Sequence, residues 1–191
     1  MTDSQKLIGH IIEINKMFVS RAVKPGSTVC DATLGNGHDA LFLADLCLPG
    51  GLVIGFDIQE EAIHNSTKKM QEAGHSHYRF YQDSHCRIDQ YCNQADAILF
   101  NLGYMPGHSK ELITKPDTTL PAIETSLQIL NKGGLLSIVC YTGHAGGQQE
   151  AASVMDFLSD IDKEKYDVLK IMHTNRSEKA PFLLLVSKKG E

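Results

Sequence analysis

The chain has 191 residues, of which 42% are apolar and 21% are charged. A chain of this size buries about 70% of the surface that its unfolded form exposes, so one core needs no disulfide or metal support. Its net charge is −5, whereas a dedicated nucleic-acid-binding protein carries a basic face. We expect a single domain over residues 1–191, in which any nucleic-acid site is local or shared across a homodimer.

Neither a membrane span nor a disulfide framework is indicated. No stretch approaches the roughly 18 apolar residues of a membrane helix, and the start MTDSQKLIGH lacks the basic-then-apolar pattern of a signal peptide. The five cysteines are odd in number and contain no C-x-x-C pair, which argues against disulfides and a zinc knuckle. We therefore expect a cytoplasmic protein that does not bind a membrane.

Apolar residues at helical spacing over residues 5–22 predict a leading amphipathic helix, within an N-terminal extension of residues 1–24. Strand patterns then lie at 28–33, 52–58, 77–83, 95–103, 135–143, 166–174 and 181–189. Helix patterns lie between them, at 35–48, 59–74, 84–92, 117–130 and 146–161. Asp117 or Thr118 is expected to cap the helix at 117–130, with Pro121 near its first turn, and the NKGG segment to end it.

Five strand–helix units followed by two strands predict an α/β fold. Strands joined by helices pair in parallel, which gives a Rossmann-like, mostly parallel seven-stranded sheet. The last two strands have too short a connection for a crossover helix, so they should form a C-terminal antiparallel hairpin. Ligands of such sheets bind at the carboxyl ends of the strands, where the strand order reverses. The residues that follow the strands are therefore the candidates for function.

The segment CDATLGNGHDA follows the first strand. Gly35 and Gly37 let the backbone approach a ligand closely, and the next helix directs its first amides to the same place. Asp57 ends the second strand, where a carboxylate can accept hydrogen bonds from both hydroxyls of a ribose. These features predict a nucleotide-binding site.

Two cofactors compete for this site. GNGHDA satisfies the G-x-G-x-x-A pattern of NAD-binding folds, and Asp57 has a suitable spacing for NAD. However, Asp31 would face the anionic pyrophosphate of NAD, whereas its carboxylate suits a cationic amino-acid group. The predicted terminal hairpin is also typical of S-adenosylmethionine-dependent methyltransferases. Both features favour S-adenosylmethionine as the cofactor.

The chain resembles the class I methyltransferases over nearly its whole length. The acidic residue and glycine-rich loop of that family are matched by DATLGNG, the acid after strand two by Asp57, and the acid–polar pair after strand three by Asp83 and Ser84. The cofactor-binding residues that the resemblance implies are Asp31, Thr33, Gly35, Asn36, Gly37, His38, Asp57, Ile58, Gln59, Asp83, Ser84, His85 and Asn101. His85 could stack on the adenine or hydrogen-bond to it. A structural alternative remains for Asp31 and Asp57 as turn or cap residues, and for Asp83, Ser84 and His85 as a helix cap.

The fourth strand ends in NLGYMPG. Methyltransferases that modify nitrogen on bases often place Asn or Asp, two prolines and an aromatic residue here, because an amine must be held in line with the methyl group. Asn101 would supply an amide acceptor, the Leu102 or Gly103 carbonyl a second one, and Tyr104 a ring that stacks on the base. Leu-Gly replaces Pro-Pro, and the alternative interpretation is a structural turn with a buried tyrosine.

NLGYMPG, DATLGNGHD, YTGHAGGQQE and TNRSEKAPFLLLVSKK together closely resemble a bacterial family described as rRNA methylases. Its members are understood to be tRNA methyltransferases. The resemblance implies N-methylation of the 5-aminomethyl group of (2-thio)uridine at the wobble position, with the tRNA anticodon stem-loop as partner. The acceptor would be a primary amine that is protonated at neutral pH and must lose a proton before it attacks.

Further candidates follow strand five, at the same edge as Asn101. His144 is the candidate base or amine-holding residue, with a loop histidine as the alternative. Tyr141, Gly146, Gly147 and Glu150 could shape the floor of the substrate pocket. Tyr104, Pro106 and Asn175 complete the predicted substrate-binding residues.

Two other functions remain open from the sequence. A methyltransferase for another RNA base or a small amine would suit the acidic net charge, and an NAD-dependent oxidoreductase would suit GNGHDA. A metal site is not expected, because HSH at 75–77 has no third ligand at a suitable spacing. The leading helix could cover the cofactor, contact RNA or build a homodimer, and its sequence does not decide between these roles.

Overall fold

The computed structural model of the protein describes residues 9–103 and 114–190. Its strands form one seven-stranded sheet in the order β3-β2-β1-β4-β5-β7-β6. The strands are β1 (Thr28–Asp31), β2 (Leu52–Asp57), β3 (Tyr78–Gln82), β4 (Ala95–Leu102), β5 (Leu130–Cys140), β6 (Tyr166–Ile171) and β7 (Phe182–Lys188). All neighbouring pairs are parallel except those that β7 makes with β5 and β6. The mostly parallel α/β sheet with its terminal antiparallel hairpin is therefore confirmed.

Helices connect the strands in the predicted order, after a leading helix that begins at Ile11. The predicted start of that helix is wrong at Gly9 and His10, since His10 is its N-terminal cap residue, and residues 5–8 lie outside the described residues. The helices are α1 (Ile11–Ala22), α2 (His38–Cys47), α3 (Glu60–Glu72), α4 (Pro116–Ile129) and α5 (Gly147–Ser159), with a short 3₁₀ helix at His85–Gln90 after β3. Within residues 9–103 and 114–190, no helix is both long and apolar enough to cross a membrane.

The predicted start of α4 is wrong by two positions. Lys115 is the N-terminal cap residue and Pro116 occupies the first turn, so neither Asp117 nor Thr118 caps the helix. The Lys115 carbonyl instead accepts hydrogen bonds from the backbone N–H groups of Thr118 and Thr119, at 3.1 and 2.9 Å. Proline suits the first helical position because it has a helical φ and needs no hydrogen-bond partner for a missing N–H.

The predicted start of β5 is also wrong. α4 ends at Ile129, and pairing with β4 begins at once, between Leu130 and Ala95. The NKGG segment therefore lies inside the strand as an irregularity in the β4–β5 register. Gly133 has a φ of +76° there, a conformation that favours glycine.

The central strands β1, β2, β4, β5 and β7 are buried on both faces, which explains their continuous apolar runs, whereas the edge strands β3 and β6 are partly exposed. In β4, alternate side chains enter two core clusters: Ile98 and Phe100 lie in one, and Ala97 and Leu99 lie in the other. The Asp31 position of β1 is level with Gly55 of β2 and Leu99 of β4. This register brings the carboxyl ends of β1, β2 and β4 to one edge, where the strand order reverses.

α1 packs against the β5 side of the sheet. Val19 is fully buried, and the buried hydroxyl of Ser137 donates a 2.6 Å hydrogen bond to the side-chain oxygen of Asn15. This contact fixes the helix so that Ile12 reaches the cavity at the carboxyl edge.

We predict that Asn15→Ala and Ser137→Ala each lower the free energy of unfolding by about 1–3 kcal/mol, because each leaves a buried polar group without its partner. The double variant should lose less than the sum of the two losses, because neither partner then remains. Urea unfolding measures all three, with Ser20→Ala on the exposed side of α1 as the control. Additive losses would show that the two side chains do not stabilise each other.

Candidate active site

A cavity of about 650 Å³ lies at the carboxyl edge of the sheet, between the ends of β1, β2, β4 and β5. The predicted site residues that line it are Asp31, Thr33, Gly35, Asn36, His38, Asp57, Ile58, Gln59, Asp83, Ser84, His85, Asn101 and Tyr141. Gly37, His144, Gly146, Gly147, Glu150 and Asn175 lie outside this lining, and Tyr104 and Pro106 lie outside the described residues. The structure thus brings together the residues that follow β1, β2, β3 and β4.

Asp31 is a fully buried carboxylate at the end of β1. Its Oδ1 accepts a 3.2 Å hydrogen bond from the Thr33 backbone N–H, while its Oδ2 has no hydrogen-bond partner among the described residues. Burial, followed by the negative charge of Asp39, raises the pKa of Asp31 to about 8. A buried oxygen without a partner in a cavity wall suits a ligand that brings a cation or a donor.

Asp57 holds the glycine-rich loop against the end of β2. Its Oδ2 accepts a hydrogen bond from the Gly35 backbone N–H at 2.9 Å, and its Oδ1 accepts one from the Gln59 N–H at 3.0 Å. Each carboxylate oxygen can accept a second hydrogen bond, so Asp57 can still bind hydroxyl groups that enter the cavity.

Gly37 ends the loop and begins α2. It has a φ of +71°, and a Cβ there would lie 2.8 Å from the Cα of Ser66 in α3. Both the backbone conformation and the close approach of α3 therefore require glycine. This tight turn directs the N-terminus of α2 towards the cavity.

Asp83 and Ser84 make hydrogen bonds with residues that lie close to them in the chain. The Tyr91 hydroxyl donates to Asp83 Oδ2 at 2.7 Å, Arg87 lies 3.2 Å from the same oxygen, and the Ser84 N–H donates to Oδ1 at 2.8 Å. The Tyr91 hydrogen bond is the main cause of the lowered pKa of Asp83. Ser84 accepts a hydrogen bond from the Cys86 N–H at the start of the 3₁₀ helix, so the predicted capping role is present although both residues also line the cavity.

His85 stands in the cavity wall with its ring edge-on to Phe100, at a centroid distance of 5.7 Å. Its Nε2 is buried and has no hydrogen-bond partner among the described residues. Burial lowers the pKa of His85, which favours the neutral imidazole. A neutral ring nitrogen here could hydrogen-bond to a heterocyclic base.

Asn101 ends β4 and is fixed at two points. Its backbone N–H donates to the Thr33 hydroxyl at 2.7 Å, and its side-chain Nδ2 donates to Oδ2 of Asp39 at 2.8 Å. Asp39, the second residue of α2, also lines the cavity and was not among the predicted site residues. An acid in the first turn of a helix is common for reasons of the helix dipole, so the sequence carried no separate signal for it.

Tyr141, which follows β5, is 36% exposed at the cavity wall. Burial is the main cause of its raised pKa, and the charge of Asp39 adds to it. Gly147 has no room for a side chain, because a Cβ would lie 2.5 Å from the Tyr141 carbonyl and 2.8 Å from Nε2 of His144. His144 therefore packs behind the end of β5, and its Nδ1 lies 3.0 Å from the Ala145 carbonyl.

Glu150 is buried in α5 and accepts two side-chain hydrogen bonds. The hydroxyls of Thr114 and Thr119 each donate to it at 2.7 Å. The Thr114 backbone N–H also donates to the Gly103 carbonyl at 3.0 Å, so this hydrogen bond holds residues 103 and 114 together. Glu150 thus supports the chain next to the cavity. Asn175 lies exposed in the β6–β7 connection.

Gly103, whose carbonyl was one of the two predicted candidates for the second acceptor, also lines the cavity. Residues from two further segments line it without having been predicted: Ile12 of α1, and Thr114, Lys115 and Thr118 at the start of α4. No group of three or more His, Cys, Asp or Glu side chains in the described part of the chain could hold a metal ion.

Comparisons with known proteins agree with this geometry. Residues 53–187 match the rRNA methylase family. A chloroplastic tRNA (mnm⁵s²U34)-methyltransferase of Arabidopsis thaliana is 32% identical over 189 aligned residues, which cover 93% of this chain and 69% of the relative.

Two solved structures also resemble this chain in sequence and in fold. An rRNA methylase from Clostridium thermocellum is 35% identical, with a TM-score of 0.93 over 96% of this chain and 100% of the other. A Streptococcus mutans methyltransferase in complex with S-adenosylhomocysteine is 34% identical, with a TM-score of 0.88 over 95% of this chain and 99% of the other.

The fold and its carboxyl-edge cavity are those of S-adenosylmethionine-dependent methyltransferases, and the protein is an enzyme of this class that uses S-adenosylmethionine. More narrowly, the chain belongs to the rRNA methylase family. This assignment decides between the two cofactors that the glycine-rich loop alone had left open.

We predict that the stability of the ligand-free enzyme is sensitive to pH through Asp31. Native Asp31 keeps its proton up to a pKa of about 8, whereas in the unfolded chain it ionises near pH 4. The contribution of Asp31 to the free energy of unfolding is therefore complete below about pH 4 and is lost as the pH rises towards 8. Asp31→Asn removes this titration, so the variant should gain stability relative to the wild type as the pH rises from about 5 to 8.

Urea unfolding at several pH values measures the difference, and Asp89→Asn is the control because Asp89 is exposed. Parallel curves for wild type and Asp31→Asn would mean that Asp31 ionises normally in the folded protein.

Proposed function

We propose that this enzyme N-methylates the 5-aminomethyl group of (2-thio)uridine at the wobble position of tRNA, giving 5-methylaminomethyl-(2-thio)uridine. The observation that carries the proposal is the position of Asn101: an amide at the end of β4, in the wall of the cavity that Asp31 and Asp57 also line. The Arabidopsis relative, whose name contains the product nucleoside mnm⁵s²U34, supports the choice of acceptor.

The residues present fit the cofactor. Asp31 has a buried oxygen suited to an ammonium group, Asp57 can bind ribose hydroxyls, and His85 has a buried ring nitrogen suited to adenine. Gly35 and Gly37 keep the loop free of side chains where the backbone must approach the ligand closely. When bound, the cofactor supplies a methyl group on a positively charged sulfur, which leaves as a neutral thioether once the methyl group has been transferred.

The chain's own part in the reaction is to hold the amine. The lone pair of a neutral amine must point at the methyl carbon, and its N–H bonds need acceptors directed elsewhere. The Asn101 side-chain oxygen is one such acceptor, and the Leu102 or Gly103 carbonyl is the second. Tyr141 is partly exposed at the cavity wall and offers a ring on which a base can stack. Tyr104 and Pro106 remain predictions.

The anticodon stem-loop is the proposed partner, although the net charge is −5. Lys115 is exposed and lines the cavity, which provides a local cation where a phosphate could approach. RNA binding through few cations should depend only weakly on salt concentration. A small amine as acceptor would also suit an acidic protein, and the test must distinguish the two.

Nucleoside mass spectrometry of tRNA carrying 5-aminomethyl-2-thiouridine, incubated with the enzyme and S-adenosylmethionine, tests the function. We expect that nucleoside to gain one methyl group, and tRNA whose wobble uridine lacks the aminomethyl group to gain none. Parallel reactions with small primary amines test the alternative. If tRNA stays unmodified while the enzyme binds S-adenosylhomocysteine, the proposed acceptor is wrong and the cofactor assignment stands.

Two substitutions should separate cofactor binding from transfer. Asp57→Ala removes the acceptor for ribose hydroxyls and the tie to Gly35, and should weaken S-adenosylhomocysteine binding by about tenfold or more. Asn101→Ala should keep that affinity within a few-fold and lower kcat by about 100-fold, because the amine loses its alignment.

Calorimetry and single-turnover methyl transfer measure the two effects, with Asp45→Ala as the control because the Asp45 side chain is 63% exposed. If Asp57→Ala bound S-adenosylhomocysteine as tightly as the wild type, Asp57 would not be the residue that binds the ribose. Loss of cofactor binding in Asn101→Ala would place Asn101 against the cofactor instead of the acceptor.

A further inference from the structure

Asp39 lines the cavity, and no cation among the described residues pairs with its carboxylate. Four aspartates line the cavity: Asp31, Asp39, Asp57 and Asp83. Asp83 is paired with Arg87, and both oxygens of Asp57 accept backbone N–H groups. Asp31 keeps its proton at neutral pH, because its pKa is about 8. The hydrogen-bond partner of Asp39 among the described residues is the neutral amide of Asn101.

The contact with Asp39 also decides which way the Asn101 amide points. A carboxylate only accepts hydrogen bonds, so the amide nitrogen must face Asp39 and the amide oxygen must face away. The Thr33 hydroxyl holds the Asn101 backbone, so the side chain extends from a fixed point next to Asp39. Asp39 therefore leaves an acceptor, not a donor, for the amine.

The charge of Asp39 is felt at both sides of the proposed reaction centre. It contributes to the raised pKa of Asp31, on the cofactor side, and to that of Tyr141, on the side where the base would stack. The charge of Asp39 therefore acts on both of the groups that the proposed function assigns to the two substrates. One of them brings an α-ammonium group, for which Asp31 has a buried oxygen free of hydrogen bonds.

The other cation is the acceptor itself, because a primary alkyl amine is protonated at neutral pH. We propose that Asp39 is a specificity-determining and positioning residue for the methyl acceptor: its carboxylate fixes the Asn101 amide with the oxygen towards the substrate and selects a wobble base that carries a cationic amine. This inference rests on the proposed function. Asp39 selects the cationic acceptor on binding, the bound ammonium group then loses one proton to solvent, and Asn101 aligns the neutral amine for transfer.

The test compares two anticodon stem-loops that differ in one group, with 5-aminomethyluridine or the neutral 5-hydroxymethyluridine at the wobble position. Dissociation constants are measured for each with S-adenosylhomocysteine present. Wild-type enzyme should bind the cationic RNA about tenfold more tightly or better, as expected for a partly desolvated ion pair. Asp39→Asn should bring this ratio to about one, because an amide has the same shape without the charge.

Kinetic constants distinguish the effect of the Asp39 charge from the effect of Asp39 on the orientation of Asn101. The Asn side-chain oxygen in Asp39→Asn can still accept from the Asn101 amide, so the variant should raise KM for the cationic RNA and leave kcat within a few-fold. Asp39→Ala should raise KM and also lower kcat, because nothing then orients Asn101. Asp45→Asn, the same substitution on the exposed face of α2, should match the wild type.

The outcomes distinguish the two proposals. If the wild type methylates the aminomethyl stem-loop and Asp39→Asn keeps the wild-type preference for the cationic RNA, Asp39 does not select the acceptor. If Asp39→Asn loses S-adenosylhomocysteine affinity instead, Asp39 belongs to the cofactor site and the inference is overturned. If the wild type methylates neither RNA, the proposed function itself fails.

Discussion

The site depends on the hydrogen bonds that the backbone makes just after β1. Its hydrogen bonds continue past the end of the strand in two directions: the Ala32 N–H donates to the Leu99 carbonyl of β4, and the Leu34 N–H donates to the Phe56 carbonyl of β2. The chain is thereby held between two diverging neighbours before it turns into α2. The gap between β2 and β4 at this point becomes the cavity, and the side chains that follow each strand are set around it.

This arrangement places carboxylates in a dry environment, which is unfavourable without a ligand. Asp31 is fully buried beside the charged Asp39, so it is protonated in the free enzyme. A cationic ligand reverses that preference, because a nearby positive charge favours the ionised carboxylate. Part of the binding free energy is therefore used to ionise Asp31, and binding near neutral pH should release a proton. The free site is less stable than it could be because it is shaped for charged ligands.

The residues whose position at the cavity was predicted from the sequence share one property: they lie at the carboxyl ends of strands. Asp31, Asp57 and Asn101 could be placed because strand patterns fix where parallel strands end. Asp39 could not, since an acid in the first helical turn is explained by the helix alone. The start of α4 was predicted wrongly because Pro116 suits the first helical turn better than the residues chosen. The start of β5 was predicted wrongly because Leu130 already pairs with Ala95. Glu150 gave no sign in sequence of its partners Thr114 and Thr119, which are distant along the chain.

The fastening of the chain at Gly103 and Thr114 has a consequence for how such enzymes can diverge. The backbone hydrogen bond between these residues, together with the Thr114–Glu150 contact, holds residues 103 and 114 next to each other. Lengthening a segment whose ends already meet costs little, since the cost of closing a loop grows only slowly with its length. The distance between residues 103 and 114 is thus fixed by contacts that do not depend on the number of residues between them. Relatives could therefore differ in the length of this segment while the strands of the sheet keep their positions.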